Sequence, residues 1–172
     1  MVALIAVAIT IDPSSDLARL MLVIGLVCSL VGDVCLMVPN DLFIAGLGAF
    51  LVAHVFYVIA LIALGVTFGA LIVGIALMGL VAMVIGRRIV QGAARADAAL
   101  AGPVAAYIAV ISVMVASAIG TGRFFAIVGA LLFGLSDSVL GWTRFIADLP
   151  RSRVIVMVTY HLGQIGLVLA LV

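Results

Sequence analysis

The chain has 172 residues, of which 68% are apolar and 9% charged, with a net charge of +1 and a mean hydropathy of +1.56. A soluble domain runs at roughly 45–50% apolar and has no interior large enough to hide this much hydrocarbon. The sequence is therefore that of a polytopic membrane protein. All eight basic residues are arginine and form no basic cluster, so nothing points to nucleic acid; without a lysine there is no Schiff base for a retinal.

Apolar stretches separated by short polar punctuation predict an all-α transmembrane bundle, one domain over 1–172, with helices at 1–11, 19–38, 43–63, 66–86, 99–119, 124–142 and 153–172. The last six are each about 20 residues, enough to cross roughly 30 Å of hydrocarbon. The first is too short and reads as a half-span or as a helix whose start lies upstream. In "DPSSD" (12–16), Pro13 marks the break and Ser15 or Asp16 caps the second helix. Cys28 and Cys35 on that helix are separated by about 10 Å of rise, too far for a disulfide, and read as small buried hydrophobes.

"VPND" (38–41) reads as the turn into the third helix, on which Phe43, Gly46, Phe50, His54 and Tyr57 recur at spacings of three and four and so share one face. The helices at 66–86 and 99–119 hold only serine, threonine and Tyr107 as polar groups, and 86–97 reads as the longest polar link. Links 39–42, 87–98 and 143–152 fall on one side of the membrane and carry Arg87, Arg88, Arg95, Arg144 and Arg151, with Arg153 at the border; Arg19 and Arg123 fall on the other. Arginine bias makes the first side cytoplasmic.

Asp33 in "SLVGDVCLM" and Asp137 in "LFGLSDSVL" stand inside apolar runs. Their surroundings match: a glycine eight residues earlier (Gly25, Gly129), a small residue just before (Gly32, Ser136) and a leucine three later (Leu36, Leu140). The next helix in each case carries polar groups, His54-x-x-Tyr57 in one and Tyr160, His161 and Gln164 in the other, as in a parallel internal repeat. Both aspartates are expected about five residues, or about 8 Å, inside the cytoplasmic end, a matching depth that allows them to face one another. Gly25, Ser29 and Gly32 line the approach to Asp33.

A carboxylate within a bilayer costs roughly 2.5–3.5 kcal/mol on insertion scales, which makes each aspartate a candidate for function. The alternative is a hydrogen bond that glues helices, for example from Asp33 to Ser29 or to a tyrosine. Two carboxyls held close in a low dielectric resist ionising together, so one can serve as a general acid while the other stays ionised. That suits acid-catalysed cleavage through a carbocation-like intermediate. No G-x-S-x-G or H-E-x-x-H spacing is present.

"SLVGDVCLM", "DLFIAGLGAFLVAHVFY", "GALLFGLSDSVLGWTRF" and "YHLGQ", in this order, resemble the signatures of the YhhN-type lysoplasmalogenase family over about residues 20–172. The resemblance implies a multi-pass membrane hydrolase, with no cofactor or metal, that cleaves the vinyl ether bond of lysoplasmalogens to a fatty aldehyde and glycerophosphoethanolamine or glycerophosphocholine. It implies Asp33 and Asp137 as the catalytic pair. His54, Tyr57, Tyr160 and Gln164 would then orient water and glycerol oxygens, with Ser29 and Ser136 beside them; Arg144 or Arg151 would meet the phosphate. The partners expected are a lysophospholipid and membrane lipids, and the expected location is a bacterial inner membrane. Family members have eight helices where seven are read here. Two other readings compete. One is a proton-coupled transporter or lipid-binding protein; the other is a zinc-dependent seven-helix lipid hydrolase using His54, His161 and an aspartate.

Overall fold

The computed structural model describes residues 1–39 and 42–172, so the predicted turn at 38–41 lies partly outside the described residues. Among the described residues the chain is all-helical: α1 (Val2–Thr10), α2 (Asp16–Met37), α3 (Phe43–Ala63), α4 (Phe68–Ala96), α5 (Ala101–Thr121), α6 (Phe124–Phe145) and α7 (Ser152–Leu169). Six of these, α2 to α7, are long and apolar enough to cross a membrane. The Ser15 side chain caps α2 by accepting from the Ala18 amide at 3.3 Å, so α2 begins a turn earlier than the hydropathy alone predicts.

The link predicted at 86–97 is not a link. The fourth helix continues to Ala96 through a π turn at Ala82–Gly86. From the end of that turn onward Gly86, Ile89, Gly92 and Ala93 are buried, while Arg87, Arg88, Gln91 and Arg95 are exposed. The polar residues that read as a break are the outward face of an amphipathic helix whose apolar face packs on Ile108 and Phe145. The sixth helix likewise runs to Phe145, past the predicted end at 142.

Two antiparallel pairs dominate the packing, α2 on α3 and α6 on α7, with α4 on α5 and α5 bridging to α3 and α6. Glycine sets the closeness of the α6–α7 pair. A Cβ at Gly129 would lie 2.7 Å from the Leu167 amide nitrogen, and one at Gly166 2.6 Å from the Gly129 Cα, so backbone meets backbone there. At one end of the bundle, hydrogen bonds join the connections: Ser14 donates to the Leu171 carbonyl, Thr67 to the Gly120 carbonyl and Arg123 to the Ala170 carbonyl. Both cysteines are free.

Candidate functional site

A cavity lies beside the π turn, between α3, α4, α5 and α6. Its wall is almost wholly hydrocarbon, with Phe50, Met78, Val81 and Ile111 prominent. The polar groups in that wall are Tyr107, Ser112, Asp137 and Ser138. Both serine hydroxyls are turned back to their own helices, Ser112 to the Ile108 carbonyl and Ser138 to the Gly134 carbonyl, each at 2.7 Å. That leaves Asp137 as the acidic group facing the space. The Tyr107 hydroxyl donates a hydrogen bond to its Oδ2.

Behind Asp137 stands His54, completely buried on α3. Its Nδ1 lies 2.6 Å from the Phe50 carbonyl oxygen. A carbonyl can only accept, so Nδ1 carries the hydrogen and the neutral ring keeps its lone pair at Nε2. Nε2 has no hydrogen-bond partner, and it points towards Asp137 Oδ2, 3.7 Å away. Edge-on aromatic contacts fix the ring, from Phe133 at 4.7 Å and Tyr107 at 5.3 Å between centroids.

Asp33 occupies different surroundings. It is half-buried, outside the cavity wall, and lies within electrostatic reach of His161. The Tyr160 hydroxyl approaches both Asp33 and Gln164 without a well-formed hydrogen bond to either. The Tyr160 ring, packed on Phe133 and Phe50, separates this cluster from His54. Asp33 lies four residues before the end of α2 at Met37, whereas Asp137 lies eight before the end of α6 at Phe145.

The other candidate residues form a buried clasp away from the cavity. The Tyr57 hydroxyl donates to Gln164 Oε1 at 2.8 Å. Its one hydrogen is thereby used, so at the 2.9 Å contact with Ser29 it is the serine that donates. These bonds join α2, α3 and α7 at one point. Gly25 and Gly32, expected to line the approach to Asp33, seat the Tyr57 and Phe50 rings. Ser136 is buried as well and donates to the Val156 carbonyl at 3.2 Å, tying α6 to α7.

Sequence reasoning passed over Tyr107, which holds Asp137. Its signal was its standing as the one tyrosine on a helix whose other polar side chains are serine and threonine. Among the described residues no three His, Cys, Asp or Glu side chains gather in a metal-binding arrangement. Next to the main cavity, sharing Leu36, Phe43 and Leu140 with it, is a second pocket lined by Arg144, whose guanidinium sits 4.9 Å above the Phe43 ring.

No solved structure matches this chain. Among curated proteins it is 37% identical over 146 residues to human (Homo sapiens) lysoplasmalogenase TMEM86B, which covers 85% of this chain and 61% of that protein. The mouse (Mus musculus) lysoplasmalogenase TMEM86B gives the same identity and coverage, and the pig (Sus scrofa) protein is 36% identical over 82% of this chain and 58% of its own length. The chain thus spans about three fifths of these relatives. A family model agrees with them along almost the whole chain, matching residues 1–171, and the chain belongs to the YhhN family.

Proposed function

We propose that the chain hydrolyses the vinyl ether bond of a lysoplasmalogen, releasing a fatty aldehyde and glycerophosphoethanolamine or glycerophosphocholine, with Asp33 and Asp137 as the required carboxyls. The observation that carries this reading is Asp137 in the wall of an apolar cavity, an acid beside space suited to hydrocarbon. The likeness to proteins named lysoplasmalogenase supports it.

The chemistry needs little more than a proton and a water. A carboxyl protonates the β-carbon of the enol ether and leaves an oxocarbenium ion. Water adds to the cationic carbon and returns a proton to the carboxylate. The resulting hemiacetal collapses to aldehyde and glycerol hydroxyl, so one water is consumed and the acid is regenerated. The alkenyl chain would lie against Met78, Val81 and Ile111, and the phosphate would reach Arg144 in the adjoining pocket. Asp33, one helix pair away, would act on the water or on the charge.

The test is aldehyde release from lysoplasmenylethanolamine by the purified protein in the presence of a chelator, for wild type, Asp33→Asn and Asp137→Asn. Chelator-resistant release that either substitution abolishes is the expected result. A folded wild-type protein that releases no aldehyde, or that moves protons without turnover, would overturn the reading.

A further inference from the structure

The two aspartates differ in a way that separates their roles. Asp137 stands in the cavity wall and Asp33 does not. Only Asp137 has a tyrosine hydroxyl fixed on one carboxyl oxygen and, behind that same oxygen, an unpartnered imidazole nitrogen. The groups that face this pair are few. From α3 comes the Tyr57 ring, 6.1 Å from His54; from α5, Tyr107; from α6, Phe133. From α7 comes Tyr160, which packs on Phe133, and beyond it lie Asp33 and His161. α2 contributes Ser29, already bonded to Tyr57, and α4 contributes only apolar side chains to the wall. Arg144 lies two turns further along α6, in the adjoining pocket.

We propose that His54 and Asp137 hold one proton between them, that Asp137 delivers it to the substrate, and that His54 is a positioning residue for that acid rather than a ligand of the substrate. This rests on the vinyl ether reading for its kinetic consequence only.

Charge decides the number of protons. With one proton the pair has zero net charge, whether it is a carboxylic acid beside a neutral imidazole or a carboxylate beside an imidazolium. A second proton, or none, leaves a net charge in hydrocarbon, which is costly without a partner. The Phe50 carbonyl fixes the tautomer, so the lone pair at Nε2 faces Oδ2 instead of turning away. Tyr107 donates to Oδ2 as well. When the carboxyl gives the pair's proton to the enol ether carbon, the C–H bond forms as the O–H bond breaks. The carboxylate left behind is then balanced by the oxocarbenium ion it has created. Water's proton restores the acid. His54 meets neither substrate nor water, because the cavity wall does not include it.

Infrared difference spectroscopy and pH–rate profiles test this. In wild-type protein at neutral pH, a protonated-carboxyl band that Asp137→Asn removes is expected. Its absence would overturn the assignment of Asp137 as the acid. His54→Asn keeps a donor for the Phe50 carbonyl but lacks Nε2, and His54→Gln places an amide near the Nε2 position. Either variant is expected to shift the carboxyl band, to lower kcat at neutral pH by about 10²-fold with KM within about twofold, and to alter the pH–rate profile. A band and pH profile indistinguishable from wild type in a folded variant, or a raised KM with unchanged kcat, would overturn the proposal. Should wild-type protein leave vinyl ethers intact, the function reading fails while the infrared arm still decides the shared proton.

Discussion

The Tyr57 hydroxyl donates to Gln164 Oε1 at the centre of the bundle, and these are the two residues that occupy equivalent places in the internal comparison, each three positions after a histidine. The histidines keep the same parallel: His54 Nδ1 donates to the Phe50 carbonyl and His161 Nδ1 to the Met157 carbonyl, each four residues back. The aspartates are exchanged between halves. Asp33 of the α2–α3 half lies towards His161, and Asp137 of the α6–α7 half lies against His54. The Tyr57–Gln164 bond thus sits where the halves meet, and it is a structural joint.

Tyr57→Phe removes the hydroxyl that donates to Gln164 and accepts from Ser29, and leaves buried polar atoms unmatched. The expected cost is about 1–3 kcal/mol, read as a lowered thermal unfolding midpoint in detergent. Turnover per folded molecule should stay close to wild type, since Tyr57 lies outside the cavity wall. A selective loss of turnover at unchanged stability would return Tyr57 to the substrate.

The α6–α7 crossing gives a prediction with its own control. A Cβ at Gly163 would lie 2.9 Å from both the Gly129 carbonyl oxygen and the Phe133 amide nitrogen, and neither backbone atom can move aside alone. Gly163→Ala is expected to destabilise by about 2 kcal/mol or more, through overpacking. A Cβ at Gly48 meets nothing within 4 Å, so Gly48→Ala should change stability by no more than about 1 kcal/mol and in the favourable direction. Equal melting shifts for both substitutions would contradict the backbone contact.

Much of this architecture was legible because long apolar runs have one stable answer in a bilayer. The segment after Gly86 was not, because arginines and a glutamine on one side of a helix look like a link when polarity is read without its period. Among site residues, the intramembrane aspartates and His54 stood out by residue type alone. That His54 meets Asp137, and that Tyr107 joins them, depends on how α3, α5 and α6 cross, and local spacing does not encode crossing. The count from the helix ends changed for a related reason. Counting from a helix end at 142 put the two aspartates level, and the continuation to Phe145 carries Asp137 a turn further from its end than Asp33.

Tyr107→Phe retains the ring that packs on His54 and deletes the hydroxyl on Asp137. If the hydroxyl stabilises the carboxylate left after proton transfer, kcat should fall by about 10–10²-fold with KM little changed. Steady-state aldehyde release measures both parameters, and a thermal melt checks that the bundle is intact. An unchanged kcat would mean that the hydrogen bond is structural.

The cavity itself can be tested by filling it. Gly134 stands in its wall, and a Cβ there would touch only a Val115 methyl, at 3.5 Å, so a larger side chain can enter the space without displacing backbone. Gly134→Leu would occupy room otherwise open to the alkenyl chain. Displacing two or three methylenes from contact costs about 2 kcal/mol, which corresponds to a rise in KM of about 30-fold. Chain length should govern the effect, because a chain too short to reach Gly134 loses nothing. Long-chain lysoplasmalogens are therefore expected to lose affinity while short-chain analogues keep theirs, with kcat for the short chains unchanged. A KM increase that is the same for every chain length would mean that the hydrocarbon lies elsewhere.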